Sequence, residues 1–194
     1  MAKPIIVGHS YGGALALALA LDHSETVGGL ALLAPLTHAQ TVAPAAFRDL
    51  VITSRRLRKL IAWTIAVPMS MAAGAKILKL VFCPDEVPAD FATAAGGLLA
   101  LRPGQFFAAS SDLVTVNDDL PDMMERYNSI RVPVGILFGR SDGILSPQDH
   151  GIAMQSKIRG LTLALVDGGH MLPVAAPEKT AQWIAEFAGR CAQQ

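Results

Sequence analysis

Short apolar runs recur along the chain and predict the strands of a buried sheet. Four such runs, each followed closely by glycine or proline, occupy residues 4–7, 30–34, 134–138 and 161–166. Strands buried on both faces of a parallel sheet lack the alternation of half-exposed strands. An Ala/Leu stretch of high helix propensity, residues 14–21, separates the first two runs. The pattern therefore predicts an α/β fold with a parallel sheet of about four strands.

Between the second and third runs, a mostly apolar set of residues follows helical spacing. The residues at this spacing are Phe47, Leu50, Val51, Ser54, Leu57 and Ile61. We predict a helical insertion at residues 37–125, between a first core segment, residues 1–36, and a second, residues 126–194. A last helix should begin near Pro177, a favoured first-turn residue. Its face toward the sheet would carry Trp183, Ile184 and Phe187.

Composition and charge narrow the class of protein. Hydrophobic residues make up 52% of the 194 residues and charged residues 16%, which excludes intrinsic disorder. Sixteen Lys and Arg residues balance sixteen Asp and Glu residues, so neither nucleic acid nor an anionic membrane is expected as a partner. The two cysteines, Cys83 and Cys191, suit a reducing compartment. A cytoplasmic location is therefore expected.

Two apolar stretches resemble membrane or targeting segments only in part. Residues 4–21 carry no charged side chain, but His9, Ser10, Tyr11 and three glycines interrupt them, which makes a poor signal peptide. Residues 60–75 fall short of the ~20 residues that a spanning helix needs. We expect a buried or interfacial helix pair there, and no stable membrane insertion.

The pattern Gly-x-Ser-x-Gly occurs twice, in different contexts. Residues 8–12 follow the first apolar run and lead directly into a predicted helix. Such a sharp strand-to-helix turn exposes the serine oxygen, and small residues two before and two after the serine let strand and helix approach. Residues 139–143 also follow a run, but the next helix begins only at residues 146–147. Ser10, not Ser141, is therefore the candidate nucleophile.

A serine nucleophile needs a base, which a third group must orient. Asp142 follows the third run and His170 the fourth, where parallel α/β sheets collect their site residues. The order along the chain is serine, aspartate, histidine. Asp149 and Asp167 are alternatives for the acid, although Asp167 is three residues from His170 and poorly placed to orient its ring.

Together these motifs make the chain resemble an α/β-hydrolase. GHSYGG (8–13) is similar to the nucleophile elbow of that family, GRSDGILSP (139–147) to its acid loop, and GGHMLP (168–173) to its histidine loop. The resemblance implies a partial α/β-hydrolase fold with a helical lid insertion, and a catalytic triad of Ser10, Asp142 and His170. It also implies that the backbone N–H of Tyr11 donates to an oxyanion.

Other polar residues have simpler interpretations. His9 is expected to pack near the site or support it rather than act as the base. We expect surface positions for His23, His38 and His150. A solvated helix face is expected for Arg55, Arg56, Arg58 and Lys59. No Cys/His spacing indicates a metal and no G-x-G-x-x-G turn indicates a dinucleotide, so no cofactor is expected.

The sequence departs from the family ahead of the elbow, where the family normally has several strands. Here the elbow begins at residue 8. The first strand should then have one unpartnered edge, through which the chain could self-associate. The loop that normally supplies a second oxyanion donor is missing, and losing one donor costs roughly 10²–10³ in rate. We expect an N-terminally incomplete hydrolase whose activity is reduced or lost.

The expected function is hydrolysis of a carboxylic ester or related carbonyl compound through an acyl-enzyme. The insertion contains several large apolar residues that suggest a small apolar substrate: Trp63, Met69, Met71, Phe106 and Phe107. Packing in the core explains the presence of these residues equally well. One alternative is an acyltransferase with the same triad. Another is a non-catalytic fragment or binding protein on the same fold.

Overall fold

The computed structural model describes residues 3–193, and its centre is a parallel four-stranded sheet. The strands are β1 (Ile5–His9), β2 (Gly29–Leu33), β3 (Val134–Gly139) and β4 (Thr162–Val166). They lie side by side in the order β1-β2-β3-β4, and all three pairings are parallel. The predicted α/β fold is confirmed, and the strand bounds agree with the apolar runs to within two residues.

Seven α-helices accompany the sheet in the described part of the chain. They are α1 (Tyr11–Asp22), α2 (Arg55–Thr64), α3 (Ala66–Phe82), α4 (Pro103–Arg126), α5 (Met154–Lys157), α6 (Leu172–Ala175) and α7 (Pro177–Cys191). α7 begins at the proline that the sequence indicated. A single π-helical turn, Gln148–Ile152, precedes α5.

One face of the sheet packs against α1 and α4. Leu32 of β2 and Ile136 of β3 lie in one cluster with Leu17 of α1 and Leu120 of α4, and all four are fully buried. Burying a leucine or isoleucine side chain contributes about 1.5–3 kcal/mol. This layer therefore holds in place the strands whose ends carry the candidate site.

The opposite face packs against α7. Leu33 and Leu137, the next residues along β2 and β3, belong to a buried cluster against which Trp183 and Ile184 of this helix pack. A Cβ at Gly135 would lie 2.7 Å from the ring of Phe187, so glycine at this position lets α7 approach the sheet. β2 and β3 are buried on both faces, as the missing alternation in their sequences predicted. The same expectation is wrong for β1 and β4, which are only partly buried, with Val7 of β1 47% exposed.

The middle of the chain is helical, as its apolar spacing predicted. No strand occurs among the described residues between β2 and β3. The helical spacing that begins at residue 47 is only partly right, because residues 51–54 are irregular and α2 begins at Arg55. Ser54 caps α2, since its Oγ accepts the backbone N–H of Leu57 at 3.4 Å. The division of the chain at residues 36 and 125 stays a prediction.

Arg58 does not lie on a solvated face, and that expectation is wrong for this residue. It is 6% exposed, and its guanidinium donates to the carbonyl of Ile52 and the hydroxyl of Ser111. The guanidinium also lies over the ring of Phe107, 5.6 Å from the centroid. The register of α2 turns Arg58 toward α4 and leaves its basic neighbours exposed, as expected: Arg55, Arg56 and Lys59.

β1 forms one edge of the sheet. Within residues 3–193 its only strand neighbour is β2. A free edge presents backbone N–H and C=O groups that another strand can pair with. Self-association through this edge stays a prediction.

The two helices that follow the first core segment form a bent pair. No single helix among residues 3–193 is both long and apolar enough to cross a bilayer. α2 and α3 reach that length and composition only together, and the chain bends by 80° between them. The bend falls at Ile65, the one residue that separates the two helices.

Candidate active site

Ser10 lies at the sharp turn between β1 and α1. β1 ends at His9 and α1 begins at Tyr11, so this one residue joins strand to helix. Its φ is 53° and its ψ is −120°, a conformation that costs a residue with a side chain about 1–3 kcal/mol. This is the geometry of a nucleophile elbow, which presents the serine oxygen clear of the strand and the helix.

Two glycines let β1 and α1 approach each other at this turn. A Cβ at Gly8 would lie 2.5 Å from the carbonyl oxygen of Gly12, and a Cβ at Gly13 would overlap the side chain of Pro35. A Cβ at Gly12 itself would meet nothing within 4 Å. The expectation that the small residue two after Ser10 is needed for close packing is therefore wrong, because Gly13 fills that role.

The end of β2 and the loop that follows it fix the backbone of Ser10. The N–H of Ser10 donates to the carbonyl of Leu33 at 3.0 Å, and the N–H of Leu36 donates to the carbonyl of Ser10 at 2.9 Å. Ala34, between these two partners, has a φ of 40°, which is unusual for a residue with a side chain. Hydrogen bonds to both the N–H and the carbonyl of Ser10 thus stabilise the strained turn.

His170 and Asp142 lie at the same end of the sheet as Ser10. The Nδ1–H of His170 donates to Oδ2 of Asp142 at 2.7 Å, and Nε2 of His170 lies 2.9 Å from Oγ of Ser10. Because Nδ1 carries the proton, Nε2 is free to accept the hydroxyl proton of Ser10. The structure therefore brings together three side chains that follow β1, β3 and β4.

The carboxylate of Asp142 is completely enclosed. Its side chain is 0% exposed, and its Oδ1 accepts the backbone N–H groups of Ile144 and Leu145 at 2.8 and 2.9 Å. A buried carboxylate must have its oxygens hydrogen-bonded. These two bonds fix its orientation and leave Oδ2 for His170.

Glycines also shape the loop that carries His170. A Cβ at Gly139 would overlap the carbonyl of Gly169, and a Cβ at Gly169 would overlap the carbonyl of Cys83. The acid loop, the histidine loop and the end of α3 consequently meet at one point. There Asp85 accepts the backbone N–H of Gly169 on Oδ2 at 2.7 Å. The sequence contains no motif that indicated this contact.

His9 supports His170 rather than contacting the Ser10 hydroxyl. Its Nε2–H donates to the backbone carbonyl of His170 at 2.9 Å, and the two rings lie with their centroids 5.0 Å apart. Burial, with the neighbouring His170, lowers the pKa of His9. The neutral ring thus serves as a fixed donor.

The other acids and the second serine lie apart from this constellation. Asp167 is fully exposed, and its carboxylate is 3.9 Å from the guanidinium of Arg140. Asp149 is also exposed. Ser141 is exposed, and its backbone N–H donates to the carbonyl of Gly168 at 3.1 Å. Asp142 is the acid that hydrogen-bonds the ring of His170.

His150 is buried, so the expectation of a surface position is wrong. It is 3% exposed, and its Nδ1 accepts the backbone N–H of Thr37 at 3.1 Å. Burial and the nearby ring of His38 lower the pKa of His150 to about 4. Tyr127 adds a bond from its hydroxyl to the carbonyl of Thr37 at 2.7 Å. These contacts brace the loop whose Leu36 holds Ser10.

The two remaining histidines differ in burial, and the expected surface position holds fully for His23 alone. His23 is exposed, as expected. His38 is half-buried, with its Nδ1 2.8 Å from the hydroxyl of Thr37. His38 therefore belongs to the bracing contacts around the loop after β2.

Tyr11 places a backbone donor next to Ser10, the candidate nucleophile. It is the first residue of α1, and the first four N–H groups of a helix have no acceptor within the helix. These groups give the N-terminal end of a helix its partial positive charge.

Among residues 3–193, no group of three or more His, Cys, Asp or Glu side chains is arranged to hold a metal ion.

A family comparison covers all of these residues. The model for the alpha/beta hydrolase fold matches residues 2–177. The chain belongs to the α/β-hydrolase family. No curated protein sequence matches it.

Solved α/β-hydrolase structures resemble the whole described chain. A thermophilic esterase from Thermogutta terrifontis has a TM-score of 0.70 at 20% identity, over 98% of this chain and 66% of that one. The enol-lactonase from Burkholderia xenovorans LB400 has a TM-score of 0.66 at 19% identity, over 97% and 66%. A meta-cleavage product hydrolase from Pseudomonas fluorescens IP01 has a TM-score of 0.66 at 19% identity, over 97% and 65%.

These likenesses establish the fold. The chain spans about two thirds of the length of each of the three hydrolases. Its sheet and helices align with the corresponding two thirds of those structures.

Proposed function

We propose that the chain is a serine hydrolase that cleaves a carboxylic ester or a related carbonyl compound. The observation that carries the proposal is the double hydrogen bonding of His170, to Ser10 through Nε2 and to Asp142 through Nδ1. A serine becomes a strong nucleophile when a base within hydrogen-bonding reach is itself oriented by a third group. The distances of 2.9 and 2.7 Å lie within that reach.

In the proposed reaction, Oγ of Ser10 attacks the ester carbonyl as its proton moves to Nε2 of His170. Asp142 keeps the ring oriented and stabilises the imidazolium cation without taking the proton itself. The imidazolium then protonates the leaving alcohol, and the acyl group stays on Ser10. Water, deprotonated by His170, attacks the acyl-enzyme, and the acid leaves with Ser10 and His170 restored.

The negative oxygen of the tetrahedral intermediate needs hydrogen-bond donors. We assign one donor to the backbone N–H of Tyr11, since it lies at the start of α1 directly after the nucleophile. The positive end of α1 adds to this stabilisation. Loss of one oxyanion donor typically costs 10²–10³ in rate, so a chain with this donor alone would turn over slowly.

We also propose that the helices between β2 and β3 form a lid over the active site. The residues after α3 lie against the histidine loop, through the contact of Asp85 with Gly169. A cover in this position would exclude water and select the substrate. An apolar ester is the substrate class that we propose. The free cysteines Cys83 and Cys191 agree with a reducing, cytoplasmic location.

The proposal is tested by covalent labelling. A fluorophosphonate probe should label the purified chain on Ser10, and Ser10→Ala should abolish the labelling. Ser141→Ala, at the second Gly-x-Ser-x-Gly match, is the matched control and should label normally. Equal labelling of Ser10→Ala and the unmodified chain would exclude Ser10 as the nucleophile, and absence of labelling in every variant would indicate a non-catalytic chain.

Product analysis separates hydrolysis from acyl transfer. The chain should release free acid from a p-nitrophenyl ester at the same rate with and without an added alcohol or amine. Predominant formation of a new ester or amide would assign the chain as an acyltransferase.

A further inference from the structure

Positive charge is concentrated in one part of a chain whose net charge is zero. Residues 50–84 contain six of the sixteen Lys and Arg residues and no Asp or Glu. Arg58 is buried, as described above. The other five cations are exposed on α2 and α3: Arg55, Arg56, Lys59, Lys76 and Lys79. The rest of the chain has ten Lys and Arg residues against sixteen Asp and Glu residues, so this segment forms a basic surface on an otherwise acidic molecule.

The same two helices expose large apolar side chains. Leu60, Trp63 and Met71 are 61%, 58% and 67% exposed. In α3, a helix of 17 residues, the buried positions are Ala66 and Phe82 at its two ends. The exposed apolar residues run across the bend between the helices: Leu57, Leu60, Trp63, Ile65, Met69 and Met71. Together with the five exposed cations they constitute the α2–α3 surface.

The stability of α2 does not account for its three exposed cations. Arg55 and Arg56 lie in the first turn of α2, where the helix dipole disfavours cations. Arg55 and Lys59 are also four residues apart, a spacing at which like charges repel. None of the ion pairs within residues 3–193 involves any of the five exposed cations. Their charges are therefore available to an external anion.

Cations and apolar groups meet in a hollow on this surface. Arg55, Arg56 and Lys59 line it together with Trp63 and Phe107, and its volume is about 300 Å³. The two aromatic rings stand edge to face, with centroids 5.9 Å apart. A partner that suits this lining carries negative charge beside an apolar body.

We propose that the α2–α3 surface docks the protein on an anionic lipid surface. Helices of this kind lie in the plane of the interface, with Leu and Trp in the acyl boundary and Lys and Arg against the head groups. The hollow between Arg55, Arg56, Lys59 and Trp63 would receive a lipid phosphate. The docking is peripheral, because the pair bends by 80° and the hydrogen bond from Arg58 to Ser111 ties α2 to α4.

Charge and apolarity together favour lipid over other partners. A second copy of this chain docked by the same face would place like charges opposite each other, which repel. Nucleic acid would neutralise the cations but would leave Leu60, Met69 and Met71 in water. An anionic lipid bilayer can bind both the cations and the apolar side chains of the α2–α3 surface. The zero net charge of the whole chain hides this local excess.

The test is co-sedimentation of the purified chain with vesicles. The chain should bind vesicles of phosphatidylcholine mixed with phosphatidylglycerol, bind pure phosphatidylcholine vesicles more weakly, and dissociate as salt is raised. The triple variant Arg55→Gln/Arg56→Gln/Lys59→Gln should lose about a hundredfold in affinity, since each cation near an anionic surface contributes about 1 kcal/mol. Leu60→Ser/Met69→Ser should also weaken binding.

Matched controls separate this surface from general charge effects. The triple variant Lys157→Gln/Arg159→Gln/Lys179→Gln removes three exposed cations from elsewhere on the chain and should bind like the unmodified protein. Trp63 should shift its fluorescence to shorter wavelength on the mixed vesicles, and Trp63→Phe should remove that shift. The salt dependence of the unmodified chain tests the proposal without any substitution.

Three kinds of result would overturn the proposal. One is equal binding of the chain to both kinds of vesicle at all salt concentrations, or no binding to either. Another is an equal loss of binding in the two triple variants. The third is a dimer in solution that Leu60→Ser/Met69→Ser dissociates, which would assign the surface to a second copy.

Discussion

The Nε2–H of His9 donates to the backbone carbonyl of His170 at 2.9 Å, across 161 residues of sequence. His9 is the last residue of β1 and directly precedes Ser10. The strand that carries the candidate nucleophile is therefore tied to the loop that carries the candidate base. Asp142 holds the ring of His170, and His9 holds its main chain.

We predict that His9→Phe keeps the packing of the ring and removes the donor. A buried carbonyl left without its partner costs about 1–3 kcal/mol. The rate of fluorophosphonate labelling should fall about tenfold if a comparable free energy is lost from positioning His170. Labelling kinetics measure the effect. His23→Phe, at an exposed position, should change nothing, and an unaltered rate in His9→Phe would show that this bond is not needed to position His170.

Replacing Asp142 with asparagine should lower the rate of ester hydrolysis by about 10⁴. The amide cannot replace the carboxylate, because it does not stabilise the imidazolium cation and favours the wrong tautomer of His170. Steady-state kinetics with a p-nitrophenyl ester provide the measurement. Asp167→Asn, at a fully exposed carboxylate, should keep full activity. The opposite ranking of these two variants would transfer the role of the acid to Asp167.

Asp85 should act as a positioning residue through the N–H of Gly169. Asp85→Ala leaves that N–H without its partner, so we expect kcat to fall about tenfold with little change in KM. Asp85→Asn keeps a carbonyl oxygen that can accept the bond and should recover most of kcat. Asp90→Ala, at an exposed acid of the same segment, provides the control. Equal losses in the alanine and asparagine variants would contradict a role through this hydrogen bond.

Two adjacent glycines should respond differently to alanine. Gly13→Ala inserts a methyl group into Pro35 and should lower the free energy of unfolding by about 1–3 kcal/mol. Gly12→Ala meets nothing within 4 Å and should stabilise α1 by up to about 1 kcal/mol, because alanine is the better helix former. Urea denaturation measures both. A destabilised Gly12→Ala would mean that the space beside this residue is occupied in the protein.

Because of the buried His150, the free energy of unfolding should decrease as the pH is lowered. Its pKa is lowered from 6.5 to about 4 in the folded chain, so the unfolded chain binds the proton more tightly between these values. Stability is therefore complete above pH 6.5 and decreases as the pH falls toward 4, by about 2 kcal/mol at pH 5. His9 and His38, whose pKa values are also lowered, act in the same direction.

The measurement is the urea midpoint of unfolding at pH 7 and pH 5. His150→Gln should make the midpoint less dependent on pH, and His23→Gln should leave the dependence unchanged. A pH dependence that is identical in His150→Gln and the unmodified chain would show that His150 does not titrate as proposed.

The sheet and the three polar residues at its strand ends could be predicted because their signals are local. A doubly buried strand is a continuous apolar run, and Ser10, Asp142 and His170 each follow such a run. Their meeting point then follows from parallel pairing, which places the ends of the strands along one edge.

The supporting contacts could not be predicted, because each depends on tertiary packing. Asp85 lies 84 residues from Gly169 and carries no motif. His150 is buried by its contact with Thr37, 113 residues away. The burial of Arg58, in contrast, could have been predicted. Ala62 lies four residues later on the same buried face of α2, and this helical spacing assigns Arg58, but not Arg56, to that face.

The wide separation of Ser10, Asp142 and His170 along the chain has a practical consequence. Their hydrogen bonds form only after β1, β3 and β4 have taken their places, so no short fragment of the polypeptide reproduces them. Under the proposed function, phosphonate labelling then counts natively folded molecules. It would give a simple assay of refolding yield and of damage to the sheet during storage.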